Sequence, residues 1–544
     1  MDRRSVSRNW LPLLTLSVLL AAVVAVIIVR LQAAPVPLER DEGEYALMGQ
    51  LILDGVPPYL EAANMKLPGT YYAYSAILAL FGQTVTGVHI GLIIVNLLST
   101  VFLFLIARRL IGSAGAALAG AAFIILSADT SVLGLFAHAT QFVVMFALAG
   151  TWLLQESSGS KRRMLILWGA GLCFGLAFLM KQSGAFFVLF GFLWLLYGAL
   201  RQRPIDWKRS LLESATMAGG ILIPYAVVLA LMDAGGVFGR FWFWTVDYAR
   251  AYVSQVDLKT GIELFESAII PIIQSNPVIW SMALAGMIGI WLTRAGREVA
   301  PFLLVFFLFS FLAVCPGFYF REHYFVQLLP AVALGAGAAL RALEQFVARY
   351  TSKSEVVEFA VLVAVVAFSL TGPLSTRYAL SKSTPDQFSR AVYGENPFPE
   401  SVKIGEYLKN NTSPEDRIAV IGSEPQICFY AHRRPASEHI YMYGLMEPEP
   451  LALHMQEEMI AQVEKSEPPF LVLVTVSTSW LRRPDSKKKL FTWMDGYINH
   501  YYRPVMVADI YSDDTLWLMD KEAESFTLGH GDSQLVVFKR KTSE

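Results

Sequence analysis

The chain is 544 residues long, 55% hydrophobic and 16% charged, against about 25% charged in an average soluble protein. With a mean hydropathy of +0.46, it falls outside the soluble globular and disordered classes and reads as a polytopic membrane protein carrying a soluble portion. Its 44 basic and 45 acidic residues leave a net charge of −1, so no basic excess marks nucleic acid as a partner.

The first apolar run, 11–29, is free of charge and follows Arg3, Arg4 and Arg8. It exceeds a signal-peptide core and lacks a small-x-small cleavage site, so it reads as a retained span. Ten further runs lie near 87–107, 110–127, 132–154, 164–180, 183–200, 211–232, 270–293, 299–319, 324–340 and 356–373. Each suits a hydrocarbon core that takes about 17–25 helical residues. The run 70–82 is too short to span and predicts a helix at the membrane surface or re-entering it.

Basic residues then set the orientation. With the N-terminus in the cytoplasm, Arg108 and Arg109, the 161–163 cluster, the 201–209 cluster, Arg294 and Arg297, and Arg341, Arg349 and Lys353 all fall inside. Eleven spans put the C-terminus outside. Residues 374–544 then form an extracytoplasmic soluble α/β domain, with strands expected at 417–422, 470–476, 504–510 and 534–539 and helices at 399–410 and 450–465. Cys173, Cys315 and Cys428 are scattered and offer neither a disulfide framework nor a zinc spacing.

Charges beside membrane spans are costly, so each calls for a reason. On the outer side they cluster. Glu39-Arg40-Asp41-Glu42-Gly43-Glu44 places four carboxylates in six positions, suited to general-base work, to oxygen-ligated metal binding or simply to solvent. Pro57-Pro58-Tyr59 precedes Lys66-Leu67-Pro68-Gly69-Thr70-Tyr71-Tyr72, a lysine on a rigid turn that can meet an anion. Asp129 lies at the outer end of one span, and His138 and Gln141 lie in the outer part of the next. Lys181 sits at the outer end of another, in a position that also suits snorkelling. Arg321-Glu322-His323-Tyr324 opens a late span. The loop 233–269 carries Arg240-Phe241-Trp242-Phe243-Trp244 and Tyr248-Ala249-Arg250-Ala251-Tyr252, an interfacial belt or a groove for a lipid tail and its phosphate. Carboxylates and cations thus meet on one face, as transfer of a group from a lipid-linked phosphate requires.

These segments resemble the GT-C glycosyltransferases of the protein O-mannosyltransferase and aminoarabinose-transferase type (glycosyltransferase family 39-like). The resemblance rests on Arg40-Asp41-Glu42-Gly43-Glu44-Tyr45-Ala46, Leu53-Asp54-Gly55-Val56-Pro57-Pro58-Tyr59, the Lys66–Tyr72 stretch and Leu80-Phe81-Gly82, with support from 175–184 and 321–331. It covers most of 1–345 in layout, 1–373 being the expected membrane domain. It implies an inverting transfer with Asp41 as base and Glu42 beside it. A polyprenyl-phosphate sugar is the implied donor, its phosphate held by Lys66, Lys181 and Arg321, with His323, Tyr324 and Arg240 as further candidates. Tyr59, Tyr71, His138, Gln141 and Asp129 are the substrate-side candidates. The acceptor is a lipid, glycan or protein, and the expected location is the bacterial plasma (inner) membrane.

Two departures stand out. Leu67 replaces the first proline of the usual turn, and His138-Ala139-Thr140-Gln141 stands where relatives often carry an acid. No cofactor and no metal is therefore expected. A transporter or flippase of lipid-linked sugars, or an inactive lipid-sugar-binding relative, are the alternatives. Transporters place ionisable groups at mid-membrane within repeated halves, and neither feature is present. In the soluble part, Glu424, His432, Arg433, Arg434, His439 and the pair Asp513-Asp514 are polar candidates without motif spacing.

Overall fold

A computed structural model describes residues 11–250, 256–447, 450–512, 514–526 and 533–541. Arg3, Arg4, Arg8, Tyr252 and Asp513 lie outside the described residues. The membrane part is helical: α1 (Leu11–Ala33), α2 (Arg40–Leu53), α3 (Gly69–Phe81), α4 (Val85–Leu126), α5 (Ala139–Glu156), α6 (Arg163–Met180), α7 (Ala185–Leu200), α8 (Trp207–Ala234), α9 (Leu258–Ser275), α10 (Pro277–Gly289), α11 (Arg294–Leu312), α12 (Leu329–Val347) and α13 (Ser354–Ser369).

Each of the eleven apolar runs overlaps helix, although 132–154 begins seven residues before α5 and 299–319 ends seven residues beyond α11. Two of them join in the 42-residue α4, which breaks at Gly112 with φ 79° and ψ −178°, a backbone state open to glycine. Among the described residues, seven helices are long and apolar enough to cross a membrane, or eight if the pair 258–275 and 277–292, bent by 102°, counts as one span. The short helix α3 matches the run expected not to span.

Small residues let the helices approach closely. A Cβ on Gly337 of α12 would lie 2.3 Å from the Gly115 carbonyl oxygen of α4, and one on Gly171 of α6 would lie 2.1 Å from the Met217 oxygen of α8.

Residues beyond α13 continue through α14 (Thr371–Lys382), α15 (Pro385–Tyr393) and α16 (Phe398–Asn411) into a mixed sheet. Its strands are β1 (Arg417–Ile421), β2 (Arg434–Pro435), β3 (Phe470–Val474), β4 (Tyr502–Ile510), β5 (Thr515–Met519) and β6 (Ser533–Arg540), in the order β2-β1-β3-β6-β4-β5. β1 pairs in parallel with β2 and β3, while β6 runs antiparallel to β3 and β4. The four expected strands and both expected helices, α16 and α18 (Pro450–Ser466), are present, with β2 and β5 in addition.

The sheet unit sits against α2. Its short helix α17 (Gln426–Ala431) comes so close that a Cβ on Gly43 would lie 2.6 Å from the Gln426 side chain. Arg40 reaches across to donate to the Ser423 carbonyl (2.7 Å) and to Glu424 (2.6 Å). Arg417 meets Glu61 at 2.6 Å, and Gln50 meets His432 at 2.9 Å.

Candidate active site

The segment 39–44 starts a helix, and that local fact sorts its carboxylates. Glu39 is the N-cap of α2, accepting from the Glu42 backbone at 2.8 Å while Glu42 accepts from the Glu39 backbone at 3.2 Å. This reciprocal pair satisfies two amides that the first helical turn leaves without partners. The other oxygen of Glu42 accepts from the Ala137 amide at 2.6 Å and contacts His89 Nε2 at 3.1 Å. Glu42 is fully buried and keyed into the helix bundle, away from the residues that line the cavity. Glu44, one turn on from Asp41, accepts from Tyr71 (2.7 Å), Asn64 (2.9 Å) and Lys66 (2.6 Å). Of these carboxylates, Asp41 is the one that lines the cavity, with its side chain 19% exposed.

Lys66 arrives from the loop between α2 and α3. Tyr59, buried and held at φ 68°, donates its hydroxyl to the Lys66 carbonyl at 2.7 Å and so fixes that loop. The Lys66 ammonium donates to Asp41 Oδ1 at 2.8 Å and to Glu44 Oε2 at 2.6 Å, with the Tyr45 ring 4.5 Å from its nitrogen. Burial, the largest single influence, would push the Asp41 carboxyl up, but the charge and hydrogen bond of Lys66 together with His323 and His138 hold the acid well below the usual carboxylate range. Burial would likewise lower Lys66, yet Asp41 and Glu44 hold it well above the ordinary lysine value. Asp41 is therefore a carboxylate at neutral pH, and Lys66 is an ammonium.

The second oxygen of Asp41 faces a stacked pair of histidines. His138 Nδ1 and His323 Nε2 each lie 3.9 Å from Asp41 Oδ2, and the two rings stack at 4.1 Å and 8°. Both ring nitrogens of His138 are buried without a hydrogen-bond partner. Asp41, His138 and His323 bring ligand atoms within 4.8 Å of one another, the donor set that can approach a metal. The stack does not fit one: imidazole binds metal through an in-plane lone pair, and an ion in the plane of one ring lies well out of the plane of the other. Glu438, His439 and Glu458 also bring their ligand atoms together, with Glu438 paired to Arg240 and Glu458 3.1 Å from His439 Nε2.

The cavity beside Asp41 has a volume of about 190 Å³. Lys66, Lys181, Arg321, His323 and Tyr324 line it, as does a wall from the sheet unit that includes His439, Tyr441 and Tyr443. Trp244 and Tyr248 close a further side from a helical turn in the 238–248 loop. The Lys181 ammonium sits 3.5 Å above the Tyr324 ring. It lies in the turn after α6, where burial lowers it from the ordinary value to about 7.

The structure thus gathers Asp41, Lys66, Lys181, Arg321, His323 and Tyr324 around one chamber, with His138 stacked behind His323. It leaves other candidates elsewhere. Arg240 is paired with Glu438 and its side chain is 43% exposed. Tyr59 and Tyr71 brace Lys66 and Glu44 from behind. Gln141 is buried and directs its amide to the Gly134 carbonyl at 3.4 Å. Asp129 caps the turn at 130–132 and borders a separate surface cleft. Sequence reasoning missed Tyr441 and Tyr443, which have no motif around them, and gave Glu44 no role of its own despite its place in the acidic cluster.

Residues 65–230 match the family model described as dolichyl-phosphate-mannose-protein mannosyltransferase. The chain is similar to undecaprenyl phosphate-alpha-4-amino-4-deoxy-L-arabinose arabinosyl transferase 2 of Pseudomonas fluorescens, 25% identical over 360 residues, 61% of this chain and 58% of that protein. A transferase of the same description from Pseudomonas paraeruginosa is 29% identical over 222 residues, 38% of each chain. The chain therefore spans less than two thirds of the length of these relatives. Among solved structures, ArnT from Cupriavidus metallidurans bound to undecaprenyl phosphate superposes with a TM-score of 0.59 at 15% identity, covering 95% of this chain and 97% of that one. The oligosaccharyltransferase of Archaeoglobus fulgidus superposes with a TM-score of 0.56 at 13% identity, covering 93% and 74%. The two superpositions show that the chain shares the fold of these proteins.

Proposed function

We propose that this chain is an integral-membrane glycosyltransferase that moves a sugar from a polyprenyl-phosphate donor to a lipid, glycan or protein acceptor on the outer face of a plasma membrane. The layout is eleven spans with a cytoplasmic N-terminus and an extracytoplasmic sheet domain. One observation carries the reading: Asp41, with one oxygen tied to Lys66 and the other 3.9 Å from His323, lines the same chamber as Lys181 and Arg321. A base and an anion site share that chamber.

In the reaction, the acceptor hydroxyl gives its proton to Asp41 Oδ2 as its oxygen attacks the anomeric carbon. The bond from that carbon to the phosphate oxygen breaks on the opposite face, so the configuration inverts. Lys66, Lys181 and Arg321 stabilise the charge gathering on the departing lipid phosphate, as preorganised cations in a water-poor site do. These cations make a metal unnecessary.

The test is reconstitution in lipid with labelled polyprenyl-phosphate sugars, wild type beside Asp41→Asn, with and without a chelator. Consumption of one donor by wild type alone, indifferent to chelation, is the expected result. Binding without consumption, even with membrane extract as an acceptor source, would turn the reading to a lipid-sugar-binding protein.

A further inference from the structure

We propose that Tyr441, carried by the sheet unit, is a positioning residue of the membrane site: with Lys66, its hydroxyl holds Asp41 Oδ1 so that Oδ2 faces the chamber. This rests on the reading of Asp41 as the base and extends the site to a part of the chain with no motif.

The Tyr441 hydroxyl lies 3.2 Å from Asp41 Oδ1 and 3.1 Å from the Arg40 carbonyl oxygen, and its single proton is shared between these two acceptors. The same ring lies 5.6 Å from the Lys66 nitrogen, on which Tyr45 also lies, so Lys66 is flanked by two aromatic rings. Oδ1 thus has two donors, Lys66 and Tyr441. Oδ2 instead lies 3.9 Å from a nitrogen of each histidine, beyond hydrogen-bond distance. A carboxylate with one oxygen doubly held cannot rotate freely about its Cβ–Cγ bond, and the open oxygen is the one that meets a hydroxyl.

The placement of Tyr441 is built rather than incidental. The Ala63 amide donates to the Glu438 carbonyl at 3.0 Å, joining the loop that carries Lys66 to the segment that carries Tyr441. Ser423 ties the same two sides. Its carbonyl accepts from Arg40, next to Asp41, at 2.7 Å, and its hydroxyl accepts from the Met442 amide, next to Tyr441, at 2.8 Å. Asp41 and Tyr441 are therefore registered through one residue of the sheet unit. That unit completes the site instead of resting above it.

The test pairs two readouts on full-length protein in lipid. The first is pH-induced infrared difference spectroscopy of the carboxyl band, with Asp41→Asn subtracted to isolate Asp41. Around that group, Glu39 and Glu44 on its own helix, Lys66, His138, His323 and Lys181 stay in place in every variant. Tyr441→Phe keeps the ring on Lys66 and removes one donor to the carboxylate, so the Asp41 midpoint is expected to rise by about half to one pH unit. Fluorinated tyrosines at position 441, whose more acidic phenols donate more strongly, are expected to lower it in graded steps. The second readout is turnover: Tyr441→Phe is expected to lose about tenfold in kcat with the donor KM unchanged.

An Asp41 midpoint that stays put in both Tyr441→Phe and the fluorinated series would overturn the inference, whatever turnover does. If wild type transfers no sugar, the functional reading falls, and the infrared series still decides the role of Tyr441.

Discussion

His138 and His323 lie ring on ring, 4.1 Å between centroids, and each turns one nitrogen toward the same oxygen of Asp41 at 3.9 Å. The distance is too long for a hydrogen bond and leaves a gap beside the oxygen assigned to proton transfer. Two stacked imidazolium rings would repel, so at most one ring of the pair is charged. A neutral ring presents a nitrogen at its edge, as hydrogen-bond acceptor or donor, to a hydroxyl approaching Asp41.

Asp41→Asn tests the base directly. The amide keeps the shape and can still accept at one end, but it takes no proton. A general base contributes about 10²–10⁴-fold, so turnover is expected to fall by that factor while the donor lipid binds as before. Single-turnover rates with pre-bound donor measure the first, and filtration binding of labelled lipid measures the second. A full loss of donor binding would instead make Asp41 part of the lipid site.

The stacked histidines also bear on metals. Because the rings are nearly parallel, their lone pairs do not converge on a single ion as they do in zinc sites. Chelation is therefore expected to leave turnover within twofold, and added zinc or manganese is expected not to raise it. Metal-stimulated activity lost in His138→Ala and His323→Ala alike would show that the pair opens to bind an ion.

Much of this arrangement was legible in the sequence. Apolar length located the helices, and the runs 417–422 and 470–476, which hold the strands 417–421 and 470–474, stood out as β-branched and apolar between turn residues. The acidic cluster and Lys66 were visible as chemistry at a membrane edge. Their division of labour was not. Glu42 is withdrawn by His89 and Ala137 and Glu44 by Tyr71 and Lys66, partners that only the folded chain brings near. Arg240 read as a phosphate ligand because aromatics surround it, yet Glu438, nearly 200 positions later, engages it. Tyr441 sits in a loop with no period to read, placed by Ser423 and Ala63. That His138 rather than an acid stands at the start of α5 was visible; its stacking on His323 was not.

The docking of the sheet unit rests on a buried ion pair. Glu424 is fully buried and meets Arg40, 11% exposed, at 2.6 Å, and Ser479 also donates to Glu424 at 2.6 Å. Removing one partner of such a pair strands a buried charge and costs about 3–5 kcal/mol. Glu424→Ala is expected to lower the thermal midpoint of the detergent-solubilised protein and to release the sheet unit to limited proteolysis. Glu424→Gln, which keeps the contacts and loses the charge, is expected to lose less. Equal midpoints for both variants and wild type would show that the interface is held elsewhere.

Lys181 gives the site a pH dependence whose sign can be worked out. Burial brings its ammonium down to about 7, while a lysine in the unfolded chain titrates near 10.4. The charged form is the one that attracts phosphate, so it dominates below pH 7 in the empty site and is lost as pH rises through that value. A phosphodiester donor keeps its single negative charge across the range, so the change belongs to the protein. Donor affinity is expected to be flat below about pH 6.5 and to fall by up to tenfold per unit above about 7.5. Lys66 does not add to this fall, because Asp41 and Glu44 hold it charged throughout. Lys181→Arg carries a guanidinium that stays protonated at any working pH, and its affinity is expected to be level from pH 6 to 9. Lys181→Met is expected to be level too, but weaker at every pH. Affinity measured by equilibrium dialysis against detergent-dispersed donor separates the three, and a wild-type profile that matches Lys181→Arg would mean that Lys181 is charged throughout this range in the empty site.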